Sequence, residues 1–263
     1  MTIDLTGKTA IVMAASQGLG RGVAEAMAGA GARVAICSRD AERIAVVGEE
    51  IAARHGVEVL AMVADVGDEV QLRDFIDAAG ARFGGIDLLV TNAGGPPAGH
   101  FTDITDAQWS AAVVNNLLSV ARAVRAVLPY MRGRLGANIQ CVVSSSVKVP
   151  IPQLVLSNAL RPAVVGLAKT LSLELAPEGI RVNCLAPGRI DTERVRHLDA
   201  VHAEARAQAA DEVRANSEAS IPLGRYGDVT EFAEVALWLG SNAARYVTGQ
   251  TIFVDGGLVK TLM

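Results

Sequence analysis

Met13-Ala14-Ala15-Ser16-Gln17-Gly18-Leu19-Gly20-Arg21-Gly22 joins an apolar run, residues 9–14, to a stretch of helical period, residues 18–30. Small residues at such a junction let the chain turn tightly and bring backbone N–H groups close to a pyrophosphate, which the positive end of the following helix favours. A glycine-rich turn by itself is equally a plain connection. Its place between a strand and a helix makes it a candidate phosphate cradle.

Outward from this turn, short β-branched or apolar runs alternate with longer helical ones, the sequence form of βαβ units. Strands are predicted at 9–14, 33–38, 57–63, 86–91, 137–144, 181–186 and 251–254. Helices are predicted at 18–30, 41–54, 69–82, 106–132 and 159–176, each with apolar residues three and four apart. Asp228 is placed to cap one more helix. The expected fold is α/β: a single doubly wound Rossmann domain over residues 1–263, with a seven-stranded parallel sheet and helices on both faces. No repeat or linker divides it. Residues 191–220 are polar, Arg/Glu/Ala-rich and helix-prone, which suits a solvated helical pair or a lid over a substrate.

Composition narrows the function. A net charge of -4 and 4% aromatic residues give no basic field or stacking stripe for nucleic acid, and no reason for a membrane partner. The N-terminus lacks the base of a signal peptide, and no apolar run approaches the ~18 residues of a spanning helix. A soluble, cytoplasmic protein is expected. Cys37, Cys141 and Cys184 lie in strand-like segments without metal spacing, so buried thiols and no metal site are expected.

The motifs together resemble the short-chain dehydrogenase/reductase family over nearly the whole chain. The family's turn is TGxxxGxG; Gly18, Leu19 and Gly20 match its last three places, Ser16 lies within it, and Met13 and Ala14 replace the leading Thr and Gly. Ala14 is expected to turn with a negative φ, loosening the loop. Ser38 followed by Arg39 resembles members that prefer NADP(H), since Arg39 can fork onto a 2′-phosphate and no carboxylate at Ser38 repels it. NAD(H) is the rival, with Asp40 reading the ribose hydroxyls. Asp65-Val66 resembles the adenine-contacting pair, Thr91-Asn92-Ala93-Gly94 the NNAG motif, Pro187-Gly188-Arg189-Ile190-Asp191-Thr192 the PGxxxT motif, and Val247-Thr248-Gly249-Gln250 with Val254-Asp255-Gly256-Gly257 the C-terminal signature.

At the chemical end, Trp109 and Asn116 resemble the family's Trp and Asn pair, with Asn115 as the fallback. Ser144 falls thirteen residues before Ser157, matching the spacing of the family's Ser and Tyr, and the run Ser144-Ser145-Ser146 leaves that register open by one. Ala163-Val164-Val165-Gly166-Leu167-Ala168-Lys169-Thr170-Leu171 fixes the following helix, so Ser157 and Arg161 stand where the family has Tyr and Lys. A serine without a strong base is a poor acid or base near neutral pH, and arginine does not lend a proton. The resemblance carries over ribose holding to Arg161 but not proton transfer to Ser157. Lys148, His100, water or the substrate are the other candidate donors. Pro162 is expected to place the helix start, or a kink, near Asn158.

The resemblance implies an NADP(H)-dependent oxidoreductase acting on a carbonyl or alcohol with an atypical proton donor. The alternative is a catalytically silent nucleotide-binding member, a sensor or partner subunit. A small-molecule substrate is expected, anionic if Arg161, Arg189 and Arg194 face it. Family members form homo-oligomers, tetramers or dimers, through the helices at 106–132 and 159–176.

Overall fold

The computed structural model describes residues 3–262, apart from the side chains of Ala205 and Arg206; Met1, Thr2 and Met263, part of the expected 1–263 span, lie outside the described residues. Seven strands, β1 (Thr9–Val12), β2 (Arg33–Ser38), β3 (Val59–Val63), β4 (Leu88–Thr91), β5 (Asn138–Val142), β6 (Arg181–Pro187) and β7 (Thr251–Val254), form one all-parallel sheet in the order β3-β2-β1-β4-β5-β6-β7. The helices are α1 (Gly18–Gly29), α2 (Ala41–His55), α3 (Glu69–Phe83), α4 (Asp106–Val113), α5 (Ser119–Met131), α6 (Val155–Glu174), α7 (Glu193–Arg206), α8 (Ala210–Ser220) and α9 (Val229–Gly240). The chain leaves β1 toward one edge and returns through β4 toward the other. The loops after β1 and β4 therefore diverge, opening a crevice at the carboxyl ends of the strands.

Strand alternation builds two apolar layers. Ile11, Ala35, Leu89, Ile139 and Val182 face α3, α5 and α6, where Phe75, Ile76, Val127 and Val164 are fully buried. Val12, Val34, Val90 and Leu185 face α1, α2 and α9, against Met27, Ile44, Ile51 and Phe232. Each of these side chains other than Ala35 contributes about 1.5–3 kcal/mol by leaving water. Continuous apolar runs in the sequence are the trace of a sheet covered on both sides. The cysteines lie inside these layers as free thiols, and burial pushes Cys37 up to about 12, so it is inert at neutral pH.

Three local expectations are corrected. The stretch read as one helix over 106–132 contains a π-helical turn, Val114–Leu118, between α4 and α5. It runs from Asp106 to Met131 and is by length and composition apolar enough to cross a membrane, which the sequence reading did not anticipate. Val120, Ala123, Val124 and Val127 spend its apolar stripe on the sheet. Second, α6 begins at Val155, ahead of Asn158, and carries Pro162 within it. The Asn158 side chain accepts from Ile151 N (3.0 Å) and donates to Ile151 O (2.9 Å), tying the first turn to the preceding loop. That anchorage offsets the hydrogen bond Pro162 cannot donate. Third, Ala14 has φ +49°, not a negative value.

Candidate active site

The end of the cleft at the glycine-rich turn is built by close backbone approach. Gly18 has φ +55°, and a Cβ on Gly20 would lie 2.5 Å from Ala14 O, so the turn packs directly on the first turn of α1. Asn92 after β4 donates to Ala14 O (3.2 Å) and holds Ala14 left-handed, a conformation costing about 1–2 kcal/mol for a residue with a Cβ. The turn is thus pinned rather than loosened. Gly20 lies beneath it; Ser16, Gly18 and Leu19 line the cleft, which has a volume of about 1010 Å³.

Ser38, Arg39, Asp65 and Val66 line the same cleft at the ends of β2 and β3. Ser38 Oγ bonds Ser16 Oγ (2.9 Å), joining the two loops. Asp40 caps α2, accepting from Arg43 N (2.9 Å), while Arg39 is exposed and 4.0 Å from Asp65. Arg43, which the sequence reading passed over, also faces the cleft and bonds Gln17. Asn92, Ala93, Gly94, Pro187, Gly188 and Thr192 complete the lining. A Cβ on Gly94 would meet nothing within 4 Å and would extend into the open cleft. A groove of this length, with a helix N-terminus and cations at one end, fits a phosphorylated dinucleotide.

At the far end Asn116, Ser144, Ser157 and Arg161 come together on the cleft wall. Ser157 and Arg161 share one face of α6, four residues apart. The Ser157 hydroxyl is 3.1 Å from Ser146 Oγ, and Ser144 Oγ accepts from Ser146 N (3.1 Å). Ser146, not Ser144, is the direct neighbour of Ser157. Asn116 sits in the π turn, donates to Ala112 O (3.1 Å), and leaves its Oδ1 buried without a partner. A π turn places a side chain where an α-helix would not. Asn115, the fallback, lines the cleft as well.

Two other candidate donors fall outside. Lys148 and His100 are exposed and line no part of the cleft, and His100 pairs with Gln153 Nε2 (3.3 Å). The cause is a bridge between Gly99 and Leu154, which zips the glycine-proline loop to the loop before α6 and turns His100 outward. Pro96, Pro97, Ile151, Pro152 and Leu154 then wall this end with apolar surface. The opposite wall is α7 and α8, which supply Leu198, His202, Ser217 and Ser220. Asp191 binds Arg196 (2.8 Å) and Arg214 (3.2 Å), and Asp199 holds Arg189 (2.8 Å) and Tyr226 (2.8 Å), fixing the helical pair to the sheet.

Burial and, behind it, the charge of Arg194 pull the Arg161 guanidinium down to about 10, so it is still a cation at neutral pH. Its Nη1 donates to Val142 O (3.0 Å). Arg194 is lowered by burial and donates to Pro96 O (2.6 Å).

A family model described as enoyl-(acyl carrier protein) reductase matches residues 13–259. The chain belongs to the short-chain dehydrogenase/reductase family. Among its relatives in that family, the 3-oxoacyl-(acyl-carrier-protein) reductase of Aquifex aeolicus is 32% identical over 262 residues, covering 98% of this chain and all of that one. The solved L-sorbose reductase of Gluconobacter frateurii, in complex with NADPH and L-sorbose, superposes with a TM-score of 0.94 at 28% identity over the full length of both chains. An NADPH-bound short-chain oxidoreductase of Pseudomonas aeruginosa PAO1, described as containing an atypical catalytic center, is 35% identical with a TM-score of 0.89, covering 98% of this chain and 99% of that one. Of the cleft residues that sequence reasoning missed, Arg43 had a signal, its place one turn after Arg39. Ser146, buried outside the cleft lining against Ser157, had only the serine run, and His202 in the cleft had none, because a helix without a motif does not announce which face it turns inward.

Proposed function

We propose that this chain is an NADP(H)-dependent oxidoreductase that interconverts a small carbonyl compound and its alcohol, using a proton donor other than tyrosine. NADP(H) supplies or accepts the hydride. The cofactor choice is supported by Arg39 and Arg43 at the adenosine end, by Asp40 being spent on the cap of α2, and by NADPH in the related solved structures. In this reading the turn residues Ser16, Gly18, Leu19 and Gly20 hold the pyrophosphate. Ser38, Arg39, Asp65 and Val66 hold the adenosine, and Asn92, Ala93, Gly94, Pro187, Gly188 and Thr192 hold the nicotinamide half.

The observation that carries the proposal is that Ser144, Ser157 and Arg161 all line one cleft together with Asn116. Arg161 holds the ribose and supplies positive charge, Ser144 and Ser157 hydrogen-bond the reacting oxygen, and Asn116 orients a water. Ser157 touches Ser146 and no base, so the proton comes from water or the substrate itself. Residues 191–220 act as the substrate lid of a single domain spanning 1–263. Two cleft guanidiniums, Arg161 and Arg194, without carboxylate partners among the described residues favour a negatively charged substrate. The protein works in the cytoplasm as a homo-oligomer, tetramer or dimer, and the exposed Leu118 and Leu173 on the relevant helices favour such contacts.

The test is NADPH oxidation over a panel of ketones and aldehydes, alongside NADPH and NADP titrations by fluorescence. Turnover of at least one compound is expected, and Ser157→Tyr combined with Arg161→Lys should gain ordinary ketone reductase activity. Tight cofactor binding with no turnover on any compound would make the chain a silent binding protein and overturn the proposal. Light scattering checks the assembly.

A further inference from the structure

Five arginines line the cleft: Arg39, Arg43, Arg161, Arg189 and Arg194. Three have acids. Arg39 lies by Asp65, Arg43 by Asp40 and Glu193, and Arg189 by Asp199. Among the described residues, Arg161 and Arg194 have no carboxylate within ion-pair distance. Arg161 is only 7% exposed, and its one hydrogen bond to protein is to a neutral carbonyl, Val142 O. Arg194 reaches from the first turn of α7 onto the loop after β4, where it donates to Pro96 O and would crowd any Cβ on Gly95 at 3.2 Å.

Two like charges, one buried and one half-buried, cost free energy unless an anion joins them, because a cation out of water needs a partner that neutralises it. The apolar Pro96, which touches Arg194, and Pro97, Ile151 and Leu154, which line the same cleft, lower the local dielectric and strengthen attraction for such an anion. The pyrophosphate cradle lies elsewhere, at Gly18 and the N-terminus of α1, where backbone N–H groups receive it.

Resting on the reading of the cleft as a carbonyl reductase site, we propose that Arg194 and Arg161 form an oxyanion subsite that binds a carboxylate or phosphate carried by the substrate. Arg194 is the determinant of this preference; Arg161 contributes charge while it holds the ribose. The substrates are thus oxo acids or phosphorylated ketones, with Arg194 fixing the anion and the reacting carbonyl turned toward Ser144 and Ser157.

Matched pairs decide it: acetoacetate against methyl acetoacetate, and dihydroxyacetone phosphate against dihydroxyacetone. Each is added to the NADP-saturated protein in a thermal melt and to the NADPH-saturated protein in a turnover assay. The anionic member of at least one pair should be preferred by roughly tenfold or more, the worth of one charge-assisted contact, and which pair shows it separates carboxylate from phosphate. In Arg194→Gln the anionic-to-neutral ratio should collapse toward one, and Arg194→Lys should keep part of it. Equal stabilisation by both members of both pairs overturns the subsite. So does a loss of NADPH affinity in Arg194→Gln that matches the loss of preference, which would assign Arg194 to the cofactor. Absence of turnover with a retained anion preference in the melt would refute the reductase reading while leaving the subsite standing.

Discussion

Arg161 and Arg181 are almost equally buried, at 7% and 8% exposure, yet they live at opposite ends of the sheet and are treated differently. Arg181 opens β6 at the amino end. Its guanidinium donates to Leu239 O (2.9 Å), Ser241 O (3.3 Å) and Val247 O (3.4 Å), carbonyls gathered around the C-terminus of α9, where a cation is favoured. Nearby, Asp87 receives Lys8 (3.1 Å), Arg134 (2.8 Å) and Thr9 N (2.9 Å). Arg161 at the carboxyl end has, among the described residues, Val142 O alone. The amino end spends its buried charges on holding the sheet together. The carboxyl end pairs Asp199 with Arg189 but, among the described residues, leaves Arg161 without an acid.

The largest test of this contrast is Asp87→Asn, which strands two cations and should cost about 3 kcal/mol in denaturant unfolding, with NADPH affinity unchanged. Burial works to raise the Asp87 carboxyl, but hydrogen bonds from Arg134, Thr9 and Lys8 outweigh it and hold it below the ordinary aspartate value. Its stabilisation is therefore present above the ordinary aspartate range and lost as pH falls through the lower folded value. Acid titration of stability should be visibly flatter in the variant. Next, Arg181→Met should destabilise by about 2 kcal/mol, since three carbonyls lose a charged donor.

The same change at the other end should have the opposite sign. Arg161→Met removes a buried cation that no acid neutralises and should stabilise the cofactor-free protein by about 1 kcal/mol while abolishing turnover. A loss of stability there would erase the distinction between the two ends. The smallest effect is Ala14→Gly, which relieves a left-handed alanine but adds backbone freedom to the unfolded chain; a gain of about 0.5 kcal/mol is expected. Melting curves of the two variants resolve both.

The sheet, its helices and the loops that line the cleft were legible because their signals are local. Short apolar runs in β1 to β6, the glycines of the first turn and the residues at each strand end read out within a few positions. Strand ends fell within two residues of expectation. The start of α6 was misplaced because Asn158 is anchored to Ile151 through a loop that no periodicity reports. The φ of Ala14 was misjudged for a related reason: Asn92, 78 residues away, holds its carbonyl.

The order of residues alone set a doubly wound sheet, a glycine-rich turn between β1 and α1, and the presence of Ser157 and Arg161 four residues apart on one helix. Tertiary structure decided that Ser146 rather than Ser144 meets Ser157, that His100 and Lys148 stay outside the cleft, and that Asp199 neutralises Arg189 while Arg161 and Arg194 keep their charge. Strands and turns follow from side-chain period and backbone freedom, which act over a few residues. Which charge meets which depends on strand order, and strand order is set by how the whole chain packs.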